Sequence, residues 1–139
     1  MDLAKKVVNK MMNGDAFSQW LGIEVLEITA GFCKLQLKVR EEMTNGFAIA
    51  HGGITYSLAD SCLAFAANAD GMQAVSIETS ISHTKKVANG DVLTATSKEM
   101  NKSSKTALYY ITITNQDNQE VAHFKGTVFR TGKEWFPEN

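Results

Sequence analysis

Between His51 and Asn68 the chain reads HGGITYSLADSCLAFAAN, and this stretch constrains the fold more than any other. Ile54, Leu58, Cys62, Phe65 and Ala69 recur at three- to four-residue spacing with no proline among them, which predicts a long helix with one core face. A second stripe, Gly53, Ser57, Asp60, Ala64 and Ala67, is small or polar and fits close approach by a ligand or another helix. Asp60 is its only charge. A mid-helix aspartate has poor propensity and is costly to bury, so it either finds water or partners, or is held there for chemistry. The glycines at the start bear on that choice. A helix N-terminus leaves backbone N–H groups unpaired and partly positive, and glycine lets an oxygen come close to them. The Gly52 N–H is therefore a candidate oxyanion donor.

Spacing adds a constraint on how the two could cooperate. Eight helical positions span about 12 Å, so Gly52 and Asp60 of one helix cannot reach the same carbonyl carbon. If both act on one bond, they come from two copies of the chain, with two sites per two-fold dimer.

A chain of 139 residues is expected to form one domain over 1–139, with a helix in 1–14 and a tail in 132–139. Its formal net charge of −1 and dispersed lysines give no reason to expect nucleic acid. The N-terminus MDLAKKVVNKMMNGD lacks the apolar core of a signal peptide, and no apolar run is long enough to span a bilayer, so a cytoplasmic location is expected. Cys33 and Cys62 are too few for a disulfide framework and read as reduced packing residues. His83 and His123 fall on predicted strands without a cysteine or carboxylate at ligand spacing, so no metal site is expected. No Gly-x-Ser-x-Gly elbow is present.

Around the central helix the rest reads as turns and strands. Asp2 caps a short helix with an apolar stripe of Leu3, Val7, Val8 and Met11, ended by Asn13-Gly14, and Ala16–Leu21 adds a turn before Gly22. Ile23–Thr29 and Phe32–Arg40 form an antiparallel pair in which Cys33, Leu35, Leu37 and Val39 are buried. Thr44-Asn45-Gly46 is a tight turn by its composition. Later strands are expected over Ala74–Thr84, with Val75, Ile77, Thr79 and Ile81 on one face and Ser76, Glu78, Ser80 and Ser82 on the other, then over Val92–Asn101, Thr106–Asn115 and Glu120–Thr131. The tail from Gly132 is expected to fray. One helix embraced by consecutive antiparallel strands is an α+β architecture.

HGG followed by LAD in one helix, Asn45 six residues before the histidine, and NGDVLTAT at Asn89–Thr96 resemble the hotdog-fold acyl-CoA thioesterases of the phenylacetate-degradation (PaaI) type, over roughly residues 15–131. The resemblance implies a hotdog fold, a long helix wrapped by a five- to six-stranded antiparallel sheet. It implies hydrolysis of an aryl- or medium-chain acyl-CoA resembling phenylacetyl-CoA, with CoA as part of the substrate and no further cofactor. The assembly implied is a homodimer that completes the active site, in a homotetramer.

Gly52 would polarise the thioester oxygen, and Asp60 of the facing subunit would attack the carbonyl or activate a water. Under the same resemblance His51 and Asn45 orient the loop or contact the thioester; each also reads as an ordinary capping or turn residue. Ser76 is a candidate auxiliary group or an ordinary strand serine. Substrate contacts fall to Gly53, Ala64 and Asn68, and to the turn Asn101, Lys102, Ser103, Ser104 and Lys105, where the nucleotide phosphates would meet cations. Lys85 and Lys86 are second choices, and the turn also reads as merely solvated. The acyl pocket is expected where Asn68, Phe65 and a strand over Phe47–Ala50 face the partner helix. Two rivals remain: a thioesterase acting on acyl- or aryl-carrier-protein thioesters, and a non-catalytic acyl-CoA sensor. Glutamate at the position of Asp60 would favour the first, and a basic DNA-binding segment before residue 22 the second.

Overall fold

In the computed structural model, which describes residues 1–137, the HGG stretch becomes helix α3 (Gly52–Asn68) and lies across a single sheet. All five members of the predicted core stripe, Ile54, Leu58, Cys62, Phe65 and Ala69, are buried. Gly53, Ser57, Asp60 and Ala64 keep some exposure along the opposite stripe, and Ala67 is buried. The helix is apolar on most of its circumference because it is covered from both sides. The sheet packs against one side, and two short helices, α1 (Leu3–Asn13) and α2 (Ala16–Leu21), pack against the other. Asp2 and Asp15 cap those helices by accepting from the Lys5 and Ser18 amides, each at 2.9 Å. Gly22 ends α2 at φ 74°, a conformation that favours glycine.

The sheet has six antiparallel strands: β1 (Glu24–Thr29), β2 (Phe32–Lys38), β3 (Met72–His83), β4 (Val92–Lys102), β5 (Thr106–Thr114) and β6 (Glu120–Glu134). Their spatial order is β1-β2-β4-β5-β6-β3, so β1 and β3 are the two edges. Alternation sets the core face. Cys33, Leu35 and Leu37 of β2, Leu93 and Ala95 of β4, Tyr109, Ile111 and Ile113 of β5, and Phe124 and Val128 of β6 meet Leu58, Cys62, Leu63 and Phe65 of α3. Cys33 and Cys62 are free buried thiols, and burial pushes the Cys62 thiol well above its ordinary pKa.

In three places the structure corrects the sequence reading. The predicted alternation of β3 does not hold along its length. A bulge sets Ser76 opposite Val128 and Glu78 opposite Thr127, so the strand gains one residue between them. Before the bulge Ala74 and Ser76 face α3; after it Thr79 and Ile81 do, opposite Gly126 and Phe124. Val75 and Ile77 are left 56% and 59% exposed. Second, the chain does not fray at Gly132. β6 continues to Glu134, which pairs with Met72, and the Trp135 N–H bonds to the Gly71 carbonyl at 2.8 Å. Of the predicted tail only residues 138–139 lie outside the described part. Third, 47–50 is not a strand; it is a turn closed by the Asn45 N–H to Ile49 carbonyl bond, with Ala48 at φ 61° and one bridge between Thr44 and Ala50.

Candidate active site

Two cavities open along the β3 edge, one at each end of α3. The first, about 380 Å³, is lined by Asn45, Ala50, Gly52, Thr55, His83, Lys85 and Lys86. The second, about 330 Å³, is lined by Met11, Asp60, Ala64, Asn68, Ser76 and Trp135 among others. The structure thus brings Asp60, Ser76, Ala64 and Asn68 together, and separately brings Asn45 and Gly52 together. His51 and Gly53 open on a third hollow beside Phe17, Trp20 and Ser57.

Asp60 is half-buried, and none of the described residues donates a hydrogen bond to its carboxylate. Burial raises its pKa above the ordinary aspartate value, and the negative charge of Asp15 adds to the effect. Asp15 is held nearby through Ser18, whose hydroxyl meets Asp15 Oδ2 at 2.6 Å and Ser61 Oγ, the residue after Asp60, at 2.8 Å. A desolvated carboxylate with no partner is poised to take up a proton or to attack. Ser76 reaches the same cavity because of the β3 bulge, which turns it from the outer face to the helix face. The sequence pattern had no means of placing it.

At the other end, His51 is the N-cap of α3, and its Nδ1 accepts the Gly53 N–H at 2.9 Å. That bond engages the Gly53 N–H within the chain, while Gly53 itself stays exposed. The Gly52 N–H has no hydrogen-bond partner among the described residues, so it is the free donor at this terminus. Asn45 meets its turn reading, its Oδ1 accepting from the Phe47 N–H at 2.9 Å, and it lines the Gly52 cavity.

Other expected substrate contacts are committed elsewhere. Asn68 is buried, its Nδ2 donates to the Ala64 and Ala74 carbonyls at 2.7 and 3.1 Å, and its Oδ1 accepts from the Ala74 N–H and Trp135 Nε1 at 2.9 and 2.8 Å. These bonds tie the end of α3 to β3 and β6, so Asn68 forms the cavity wall without a free polar atom to offer. An Asn68→Ala protein is expected to lose on the order of 3 kcal/mol in a denaturant titration, because several buried groups lose their partner at once. Phe65 is in the core, away from the Asp60 cavity.

The Asn101–Lys105 turn lines neither cavity. Lys102 Nζ sits 2.7 Å from Asp70 Oδ2, which also takes Arg130 at 2.7 Å. Burial works against the Asp70 carboxylate, but hydrogen bonds from Lys102, the Met72 amide and Arg130 outweigh it and hold its pKa down. Ser103 Oγ meets Thr106, while Arg130 bonds to the Ser103 and Ser104 carbonyls. Lys85 and Lys86, the second choices, are the cations that line the Gly52 cavity. Among the described residues no group of His, Cys, Asp and Glu could hold a metal ion, and no helix is long and apolar enough to cross a membrane.

A six-stranded antiparallel sheet wrapped round one long buried helix is the hotdog fold, and here the helix carries a carboxylate and a main-chain amide that have no partner among the described residues. The chain belongs to the thioesterase superfamily, whose model matches residues 47–122, and within it to the hotdog thioesterases of the PaaI type. It is 36% identical to the acyl-coenzyme A thioesterase PaaI of Escherichia coli K12 over 122 residues, 88% of this chain and 87% of that one. The structure of E. coli PaaI, from the phenylacetic acid degradation operon, superposes with a TM-score of 0.92 at 34% identity, covering 94% of this chain and 95% of that one. A hypothetical thioesterase of Streptococcus pneumoniae TIGR4, solved with coenzyme A, gives 0.78 at 27% identity over 81% and 90%. Variants of that protein with an aspartate or a threonine changed to alanine are also solved.

Proposed function

We propose that this thioesterase hydrolyses acyl-CoA esters with an aryl or medium-chain acyl group, resembling phenylacetyl-CoA, in sites shared by two copies of the chain. The observation that carries the reading is the position of the two groups on α3: the free Gly52 amide at its start and the unpartnered Asp60 two turns later. At about 12 Å apart they need a second copy to meet at one carbon. β3 offers the means. It is an edge strand with exposed Val75 and Ile77, and both cavities open along it. Antiparallel pairing of two β3 strands about a two-fold axis sets the Ser76 end of one against the His83 end of the other, and so one Asp60 cavity against the partner's Gly52 cavity.

In such a site the Gly52 N–H stabilises the oxygen as it gains charge. Asp60 supplies the nucleophile, by attacking the carbonyl to form a mixed anhydride or by taking a proton from water. The CoA thiolate leaves without a strong general acid. Lys85 and Lys86 beside Gly52 suit the CoA phosphates. The E. coli relative's name and the coenzyme A in the S. pneumoniae structure support CoA as the carrier. The aspartate and threonine changed in the S. pneumoniae variants have the same separation in sequence as Asp60 and Ser76, which supports that pair.

Thiol release from a panel of aromatic, short and long acyl-CoA esters, each matched with its carrier-protein thioester, tests the reading. Highest kcat/KM on an aromatic or medium-chain CoA ester is expected. Turnover of the carrier-linked esters alone would move the substrate to the carrier-protein class, and binding without turnover would leave an acyl-CoA sensor.

A further inference from the structure

Stabilising an oxyanion takes converging donors, and at the start of α3 His51 occupies the Gly53 N–H while the Gly52 N–H has no partner among the described residues. The side chain nearest the open side of Gly52 is His83, from the end of β3. A Cβ built on Gly52 would lie 3.3 Å from His83 Nε2 and 3.5 Å from its Cε1. The other ring nitrogen, Nδ1, is 3.2 Å from Thr55 Oγ1, and Thr55 Oγ1 is 3.0 Å from the Gly52 carbonyl oxygen. Thr55 is buried one turn into the helix, so it anchors the ring by one nitrogen. Nε2 is left without a hydrogen-bond partner among the described residues, in the wall of the cavity that holds Gly52, Asn45, Lys85 and Lys86.

We propose that His83 completes the oxyanion hole, its Nε2–H donating to the thioester oxygen beside the Gly52 N–H. The ring keeps its proton throughout, and no bond to it forms or breaks. In the neutral ring the Thr55 hydroxyl turns to donate to Nδ1, which puts the hydrogen on Nε2. In the imidazolium both nitrogens donate, and Thr55 keeps its bond to the Gly52 carbonyl. Glycine at position 52 then has a second reason besides access to its amide: any side chain there would press on the imidazole.

The inference rests on the reading of Gly52 as the oxyanion donor, and its test separates the two. His83→Phe keeps the ring's bulk and removes the donor, whereas His83→Gln restores an N–H of similar reach. His83 is exposed, so both variants are expected to fold, and melting curves check this. On the fastest acyl-CoA ester of the panel, His83→Phe is expected to lower kcat roughly 10²–10³-fold with KM changed far less, as loss of one oxyanion donor does. His83→Gln is expected to recover at least a tenth of wild-type kcat. If Asp60→Asn is inactive while His83→Phe keeps full kcat, or raises KM alone, the donor role is overturned and the rest of the site stands. If Asp60→Asn itself keeps full activity, the site and this inference fall together.

Discussion

Exchanging Asp60 for asparagine is expected to slow acyl-CoA hydrolysis roughly 10²–10⁴-fold, the range that a positioned acid or base contributes. The same variant is expected to melt higher than wild type at neutral pH. Activity and stability part here because the carboxylate has no partner to lose: nothing among the described residues donates to it, and it sits half-buried beside Asp15. Burial and then Asp15 raise its pKa in the fold, while in the unfolded chain it ionises at the ordinary aspartate value. Between those two values the fold holds a proton that the unfolded chain has released, so stability falls as pH rises through that window. Above it the ionised group is a standing penalty that asparagine does not carry. The gain in melting temperature should therefore be largest at neutral pH and vanish below the unfolded value. Calorimetry of both proteins from pH 3 to pH 8, beside kcat, checks both halves. A variant that melts lower at neutral pH would mean that the carboxylate is tied by bonds to another copy.

Removing the hydrogen from the Gly52 nitrogen is the counterpart. Proline is well tolerated at the first position of a helix, where the N–H has no intrahelical partner. The preceding residue must then be extended, and His51 already is, at φ −61° and ψ 138°. The ring's Cβ would press on His83 Nε2, an exposed side chain that can swing away. Gly52→Pro is thus expected to fold and to lose kcat by at least roughly 10²–10³-fold, the amide being lost outright and the displaced His83 with it. Mixing the two inactive proteins and letting subunits exchange is the decisive measurement. A mixed dimer pairs the intact Gly52 of one chain with the intact Asp60 of the other, so random pairing should return about a quarter of wild-type activity. No recovery after verified exchange would show that the two groups do not serve one substrate, and a strictly monomeric protein by light scattering would remove the shared site altogether.

What could be read in the chain beforehand follows from the range of each signal. The spacing of Ile54, Leu58, Cys62, Phe65 and Ala69 reports a local helical period, and all five are buried. The alternation in β2 is equally local, and Cys33, Leu35, Leu37 and Val39 are buried as read. β3 shows where that logic ends: one inserted residue between Ser76 and Glu78 reverses the faces, and its sequence looks like any other alternating strand. The end of β6 misled for another reason. Gly132 and Lys133 look like a loose tail, yet β3 is long enough to pair with the chain as far as Glu134. Asp60 and Gly52 stood out as a charge and a glycine pair on an apolar helix. His83 did not, because a lone strand histidine carries no pattern, and its approach to Gly52 exists only in three dimensions. Asn68 was legible as part of the cavity but not as the knot that ties helix to sheet, since the partners that engage it come from the turn and strands after it.

Helix α1 and the segment just past β6 meet over the Asp60 chamber. Met11 of α1 and Trp135 just past β6 both line it, and Lys6 and Lys10 sit over the rings of Phe136 and Trp135 at 4.2 and 5.9 Å. A purification tag or fusion partner attached soon after Phe136 would therefore start beside the cavity that holds Asp60. Selectivity profiles recorded on tagged and on cleaved protein need not agree, and the cleaved form is the one to compare.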